Sequence, residues 1–127
     1  MAAETPLRLL IAEDHATLRD ALGIFFSERD AIQVVGQAAN SEETLYLYEQ
    51  TRPDIVLLGT NLRPGNILDL INQLCEESPD TRIVVLTSNL NEIPYEKFID
   101  MGATTVIEEG IFASNLFTII QEVYYQG

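Results

Sequence analysis

The amino-acid sequence predicts an α/β fold: a doubly wound, five-stranded parallel sheet with helices on both faces. Short apolar runs alternate with amphipathic stretches along all 127 residues. The β-branched runs are roughly 5–6 residues long, which suits strands and is too short for the buried helices of a bundle. Short connections between alternating strands and helices imply parallel pairing with right-handed crossovers. Residues 1–127 are expected to form a single domain.

The first half of the chain contains two predicted strand–helix units. The run 7–12 is almost continuously apolar, as in a strand buried on both faces. Apolar residues at helical spacing within 18–26 predict the first helix. The second strand is expected over 32–39. Asn40, with Glu43 three residues later, predicts the N-cap of the second helix.

Three further units are predicted in the second half. The runs 54–59 and 82–87 are predicted strands that enclose a helix whose apolar residues repeat between 67 and 74. A short helix with Asn91 or Glu92 as its cap follows. The elements predicted after it are a fifth strand over 103–107 and a last helix around residues 116–123.

The charge and cysteine content exclude several functional classes. Seven Lys and Arg against twenty Asp and Glu give a net charge of -13. Such a chain is repelled by nucleic-acid phosphates and by anionic membranes, and it suits a cation or a basic partner. The single cysteine, Cys75, cannot form an internal disulfide, and there is neither a signal peptide nor a run of about 20 apolar residues. A cytoplasmic location is therefore expected.

Several polar residues follow the predicted strands, and parallel strands place such residues at one edge of the sheet, where open α/β sheets bind ligands. These are Glu13 and Asp14, then 59–61, then 87–88, then 108–109. Adjacent carboxylates suit Mg²⁺, which makes Glu13 and Asp14 candidate metal ligands and Glu109 a less favoured third. Crowded carboxylates without an ion are expected to have at least one raised pKa.

The sequence lacks the motifs of common catalytic and cofactor sites. There is no glycine-rich phosphate-binding motif and no Cys/His cluster with zinc spacing. A Ser/His/Asp catalytic arrangement that uses His15 is disfavoured, because no serine lies in a nucleophile-elbow motif. An enzymatic function is therefore disfavoured, and no cofactor other than a residual Mg²⁺ is expected.

Five segments, at their order and spacing, carry a family resemblance over nearly the whole chain. They are 9–15 (LLIAEDH), 34–38 (VVGQA), 52–58 (RPDIVLL), 82–87 (RIVVLT) and 101–104 (MGAT). The chain resembles the receiver domains of bacterial two-component response regulators, which have a flavodoxin-like fold with strand order 2-1-3-4-5. The resemblance is strongest to receivers that precede a LuxR/NarL-type helix-turn-helix domain.

The resemblance implies a degenerate phosphorylation site. The family transfers a phosphoryl group to an Asp at the end of the third strand, binds Mg²⁺ with an acidic pair, and pairs the phosphate with a Lys after the fifth strand. By position, Glu13 and Asp14 match the acidic pair and Thr87 matches the hydroxyl residue that ends the fourth strand. Gly59 stands at the aspartate position, and Glu109 stands at the lysine position.

These two departures predict a pseudo-receiver that does not accept a phosphoryl group. The only lysine, Lys97, falls in the predicted fourth helix, and Asp54 lies roughly 15 Å from the far end of the third strand. Switching must then come from a ligand or a partner. The alternative is a sensor of a metal or small ligand that uses the acidic pocket near Gly59, where the missing side chain leaves room.

The C-terminal segment predicts an interaction surface. Its aromatic residues, Phe112, Phe117, Tyr124 and Tyr125, exceed what one core-facing stripe needs. Since receivers commonly pair through the fourth helix, fifth strand and fifth helix, Tyr95, Phe117 and Tyr124 are candidate interface residues for self-association or a protein partner. In the natural protein, a C-terminal helix-turn-helix domain is a further expectation, with no direct nucleic-acid binding by this chain.

Overall fold

A computed structural model describes residues 5–111 and 113–126, and five strands and five helices alternate along them. Phe112 lies outside the described residues. The elements in chain order are β1 (Leu7–Ala12), α1 (Ala16–Ser27), β2 (Ile32–Ala38), α2 (Ser41–Thr51), β3 (Ile55–Gly59), α3 (Ile67–Glu77), β4 (Arg82–Thr87), α4 (Tyr95–Asp100), β5 (Thr105–Glu108) and α5 (Ala113–Gln126).

The five strands form one parallel sheet with the order β2-β1-β3-β4-β5, as predicted. In the register of the sheet, Ala12 is level with Leu58 of β3 and Thr87 is level with Glu108 of β5. The carboxyl ends of the strands therefore meet at one edge, and the residues that follow them are neighbours. We call this edge the carboxyl pole.

Helices cover both faces of the sheet, and alternate residues of β1 show how the faces divide. Leu9 and Ile11 pack with Leu22 and Phe26 of α1 and with Leu116 of α5. On the opposite face, Leu10 and Ala12 pack in a second cluster with residues of α2, α3 and α4. This period of two is what a strand buried on both faces requires.

The predicted cap of the second helix is confirmed. Oδ1 of Asn40 accepts a hydrogen bond from the N–H of Glu43 at 2.8 Å, and Oε1 of Glu43 accepts one from the N–H of Ala39 at 2.8 Å. The first bond satisfies an N–H group that the first turn of a helix leaves without an intrahelical acceptor, and the second ties the helix to the residue before its cap. The hydroxyl of Tyr48 on the same helix donates to the carbonyl of Leu74 at 3.2 Å and thereby joins α2 to α3.

Several boundaries differ from the sequence prediction by one residue, and two starts, those of the fourth helix and the fifth strand, differ by more. The predicted cap of the fourth helix by Asn91 or Glu92 is wrong, because the N–H groups of both residues bond back to Asn89 in a turn, and α4 begins after Pro94. The fifth strand begins at Thr105 rather than at Ala103. The N–H of Ala103 is still bonded to the carbonyl of Phe98 at the end of the preceding helix.

Candidate functional site

The side chain of Glu13 occupies the middle of the carboxyl pole. Glu13 is only 5% exposed, although it directly follows β1. Its N–H donates to the carbonyl of Ala38 at 2.9 Å, which continues the pairing of β1 with β2. Its Oε2 accepts a hydrogen bond from the N–H of His15 at 2.9 Å. The carboxyl group is therefore folded back into the sheet edge rather than extended into solvent.

Gly59, the last residue of β3, lies against this carboxyl group. A Cβ atom built on Gly59 would collide with Oε1 of Glu13 and lie 3.0 Å from its Cδ. Glu13 thus takes up the space in which a side chain at position 59 would begin. The expectation that the missing side chain leaves room for a small molecule directly at Gly59 is corrected by this contact.

The surroundings of Glu13 favour its protonated form. Burial, above all, raises the pKa of Glu13 from its ordinary 4.5 to about 7, and the carboxyl groups of Asp14 and Glu109 add to the increase. The hydrogen bond from the N–H of His15 acts in the opposite direction, because it stabilises the carboxylate. The pKa of one carboxyl group at this pole is therefore raised as expected, but burial contributes more to the increase than the crowding of carboxyl groups that the sequence suggested.

Asp14 and Glu109 lie on the solvent side of the Glu13 carboxyl group. Both are exposed, and the N–H of Glu109 donates to the carbonyl of Thr87 at 2.8 Å, which places it directly beyond β4. Within residues 5–111 and 113–126, no three His, Cys, Asp or Glu side chains are grouped so that they could hold a metal ion. Glu109 therefore does not complete a set of three ligands with Glu13 and Asp14, and Mg²⁺ binding by the pair Glu13 and Asp14 stays a prediction.

Thr87 ends β4 and belongs to a separate part of the pole. It is 2% exposed, and its Oγ1 accepts a hydrogen bond from the N–H of Asn89 at 3.3 Å. It lines a cleft of about 260 Å³ between the loops that follow β3 and β4. Arg63, on the first of these loops, also lines it. The sequence identified Thr87 as the residue that ends β4, but it contained no signal that Thr87 and Arg63 would line a common cleft.

His15 has a structural role at a helix terminus, and Lys97 lies on the fourth helix, as the sequence predicts. His15 is the N-cap of α1, where its Nδ1 accepts a hydrogen bond from the N–H of Leu18 at 3.3 Å. Lys97 is an exposed residue of α4, outside the group formed by Glu13, Gly59 and Glu109.

A parallel sheet of this order, with its carboxyl pole bordered by Glu13, Asp14 and Thr87, agrees with the resemblance seen in the sequence. The family model of the response regulator receiver domain matches residues 9–121. The chain belongs to this family.

The relatives of this receiver domain include a transcriptional regulatory protein and a response regulator protein. It is 39% identical over 82 residues, or 65% of the chain, to the uncharacterized transcriptional regulatory protein YhcZ of Bacillus subtilis. It is 35% identical over 103 residues, or 81% of the chain, to the nitrate/nitrite response regulator protein NarL of Escherichia coli. The matched parts are 38% and 48% of these two proteins, so the receiver spans less than half the length of either.

Solved structures share the fold. A LuxR-family response regulator from Aurantimonas sp. matches with a TM-score of 0.85 at 21% identity, covering 96% of this receiver and 87% of that chain. A CheY-like receiver domain protein from Methanospirillum hungatei matches with a TM-score of 0.85 at 18% identity, covering 96% of each chain.

The predicted interface residues of the receiver have unlike surroundings. Tyr95, at the start of α4, is 45% exposed. Phe117 and Tyr124 of α5 are half-buried against the cluster shared with α1, and Tyr124 also lies beneath the guanidinium of Arg82, 5.6 Å from its ring centre. The neighbouring Tyr125 is 61% exposed, which makes it, with Tyr95, the more accessible aromatic surface.

Proposed function

We propose that this receiver domain is a phosphorylation-independent regulatory module that acts by self-association or by binding a protein partner. The observation that carries the proposal is the contact between Gly59 and Glu13. Gly59 has no carboxyl group to accept a phosphoryl group, and the carboxyl group of Glu13 fills the adjacent space. The module is a signalling domain rather than an enzyme.

The charge around Gly59 supports the same proposal. Glu13, Asp14 and Glu109 are all acidic, and their mutual influence is seen in the raised pKa of Glu13. A phosphoryl group placed here would be repelled, whereas phosphoryl transfer requires cationic groups that stabilise the charge of the transition state. The only lysine of the chain, Lys97, lies on α4.

We expect self-association or partner binding to take place through the surface formed by α4, β5 and α5. Tyr95 and Tyr125 are exposed on it, and tyrosine is favoured in the cores of protein interfaces. In addition, the net charge of -13 favours a partner with a basic surface. Because the relatives are longer transcriptional regulators, we expect a helix-turn-helix domain to be joined to this receiver in a cytoplasmic protein.

Exposure to a phosphoryl donor tests the main claim. The wild-type domain, incubated with acetyl phosphate and Mg²⁺ and measured by intact-mass spectrometry, should gain no phosphoryl group. The double variant Gly59→Asp/Glu109→Lys should gain one. Adding Glu13→Asp should increase its yield, because the shorter side chain withdraws from the Cβ introduced at position 59. A phosphoryl adduct on the wild-type domain would contradict the proposal.

Molar mass in solution tests the interaction surface. Light scattering across a concentration series should show a dimer that Tyr95→Ser weakens. Tyr46→Ser is the matched control, since Tyr46 is a similarly exposed tyrosine, at 62%, on α2. A wild-type domain that stays monomeric and binds no protein through this surface, or a dimer that both variants weaken equally, would reject the proposed surface.

A second candidate function, the sensing of a small ligand, is favoured by the cleft beside Thr87. Its site differs from the one predicted, because the cleft lies between two loops rather than directly at Gly59. The metal form of this candidate lacks such support. Addition of Mg²⁺, Ca²⁺ or Mn²⁺ should leave the melting temperature unchanged, whereas a concentration-dependent increase would restore the metal hypothesis.

Regarding membranes, none of the helices in the described part of the chain has both the length and the apolar content needed to cross a bilayer.

A further inference from the structure

The cleft beside Thr87 is a separate recess of the carboxyl pole. Its volume of about 260 Å³ lies just below the range of roughly 300–1,000 Å³ that is usual for ligand pockets, so it suits only a small metabolite. The loop after β3 contributes Thr60, Asn61 and Arg63, and the loop after β4 contributes Asn89 and Glu92. Open α/β sheets bind their ligands at this end of the strands.

The lining of the cleft contains one positively charged and one negatively charged side chain. Arg63 is its cation and Glu92 is its anion, and both side chains are exposed. Within the described residues, the guanidinium of Arg63 makes one hydrogen bond, a long contact of 3.5 Å from Nη1 to the carbonyl of Leu62. Its remaining N–H groups are thus available to a carboxylate, which a guanidinium binds in a planar, two-pronged arrangement.

The uncharged lining provides both polar and apolar contacts. Thr60, Asn61 and Asn89 line the cleft with hydroxyl and amide groups. The buried Thr87 also lines the cleft, and its hydroxyl oxygen accepts a hydrogen bond from the N–H of Asn89 at 3.3 Å. Ile67, which is 4% exposed, and Ile93 add an apolar wall.

We propose that this cleft binds a small zwitterion of the α-amino-acid type, whose carboxylate pairs with Arg63 and whose ammonium group pairs with Glu92. A simple anion would gain the attraction of Arg63 but meet Glu92 and the net charge of -13. A simple cation would be repelled by the guanidinium of Arg63. A zwitterion satisfies both side chains, and its aliphatic portion has Ile67 and Ile93 to contact.

Ligand binding in this cleft could affect the proposed interaction surface through the loop that joins β4 to α4. The ligand would bridge the loops after β3 and β4, and the second of these loops leads directly into α4, where Tyr95 is exposed. A ligand with different affinities for two arrangements of the loops shifts their populations. The inference rests on the second candidate function, small-ligand sensing at this cleft, and names its ligand class; it does not depend on the absence of phosphorylation.

The experiment is a titration of the full ¹⁵N-labelled chain with each proteinogenic L-amino acid at millimolar concentration. At least one amino acid should shift the backbone amide resonances of Asn61, Gly65 and Asn89 and raise the melting temperature. Acetate and methylamine, which carry one of the two charges each, should do neither at the same concentration. Arg63→Gln and Glu92→Gln should each weaken binding by roughly tenfold or more, equivalent to about 1.4 kcal/mol.

Matched variants separate local recognition from general charge. Arg52→Gln and Glu96→Gln also remove one exposed cation and one exposed anion, but outside the cleft, and should leave binding unchanged. The inference is overturned if no amino acid shifts these resonances, if acetate shifts them equally well, or if binding survives Arg63→Gln. A phosphoryl adduct on the wild-type chain would overturn the proposed function alone and leave this result intact.

Discussion

The carboxyl pole has two neighbouring sides that differ in packing and charge. The filled side consists of Glu13, Asp14, Gly59 and Glu109, and the buried carboxyl group of Glu13 occupies its centre. The open side is the cleft between the loops after β3 and β4, with one cation and one anion in its lining. Although Gly59 and Thr60 are consecutive, one lies against a carboxyl group and the other borders open space.

The difference shows that a glycine at the end of a strand does not by itself create a binding site. Protein interiors are closely packed, and a flexible neighbouring side chain moves into a vacancy when it finds a hydrogen-bond donor there. Glu13 has such a donor in the N–H of His15. The space available to a ligand is therefore between the loops rather than above the glycine.

The largest expected effect is on the pH dependence of folding stability, which Glu13 gives to the filled side. Because folding raises the pKa of Glu13 from 4.5 to about 7, its contribution to stability is fully present below pH 4.5 and is lost as the pH rises through 7. At roughly 1.4 kcal/mol for each tenfold change in acidity, a rise of the pKa from 4.5 to about 7 corresponds to a loss of about 3.5 kcal/mol. Glu13→Gln should remove this part of the pH dependence in urea unfolding measured from pH 4 to pH 8.

The control for this experiment is Glu108→Gln, which neutralises an exposed carboxylate at the end of β5 and should keep the wild-type pH profile. Equal profiles for wild type and Glu13→Gln would show that Glu13 is not the titrating group of the filled side.

The next effect tests the contact at Gly59. Gly59→Ala should destabilise the fold by on the order of 1–2 kcal/mol, because the new methyl group meets Oε1 of Glu13, the far end of a flexible side chain that must then move. Chemical denaturation of Gly59→Ala, Glu13→Ala and the double variant forms a complete cycle. The double variant should be more stable than the sum of the single effects predicts, and additive effects would disprove the contact.

A smaller effect is expected where the open side meets β4. Thr87→Val removes the acceptor of the N–H of Asn89 but retains the buried volume, so it should cost about 0.5–1 kcal/mol. Thermal unfolding of this variant can be compared with that of Thr118→Val, which alters an exposed threonine on α5. A loss no larger than that of the Thr118 variant would mean that the hydroxyl of Thr87 does not hold the loop.

The smallest effect is expected for the charge of the open side. Arg63→Gln should change the free energy of unfolding by less than about 0.5 kcal/mol, since Arg63 is exposed and its guanidinium makes one long hydrogen bond. A large destabilisation in urea unfolding would assign Arg63 a structural role and remove the contrast between the two sides.

Much of the fold was accessible from local patterns. The strands at 7–12 and 82–87 were predicted with the boundaries that the structure has, because β-branched and apolar runs bounded by turn residues mark buried strands. The Asn40–Glu43 cap was recognisable because its hydrogen bonds span only a few residues. The start of α4 was missed, since the turn at Asn89 competes with a cap at Asn91 and this competition leaves no composition signal.

The candidate site was predictable only in part. Residues at strand ends and the family resemblance together identified Glu13, Asp14, Gly59, Thr87 and Glu109. The contacts between these residues were not predicted. The sequence suggested empty space beside Gly59, whereas the carboxyl group of Glu13 occupies that space in the structure. The direction in which a side chain of several rotatable bonds turns depends on neighbours from other strands, and those neighbours are distant in the chain.

By itself, the sequence determined the alternation of elements, the acidic character of the chain and the identity of the residues at the end of each strand, because these follow from local periodicity and composition. Only the tertiary structure decided that Glu13 is buried against Gly59 and that Arg63 and Glu92 line one cleft. Both facts depend on the register of parallel strands and on how two loops meet, and these are set by packing between segments far apart in the chain.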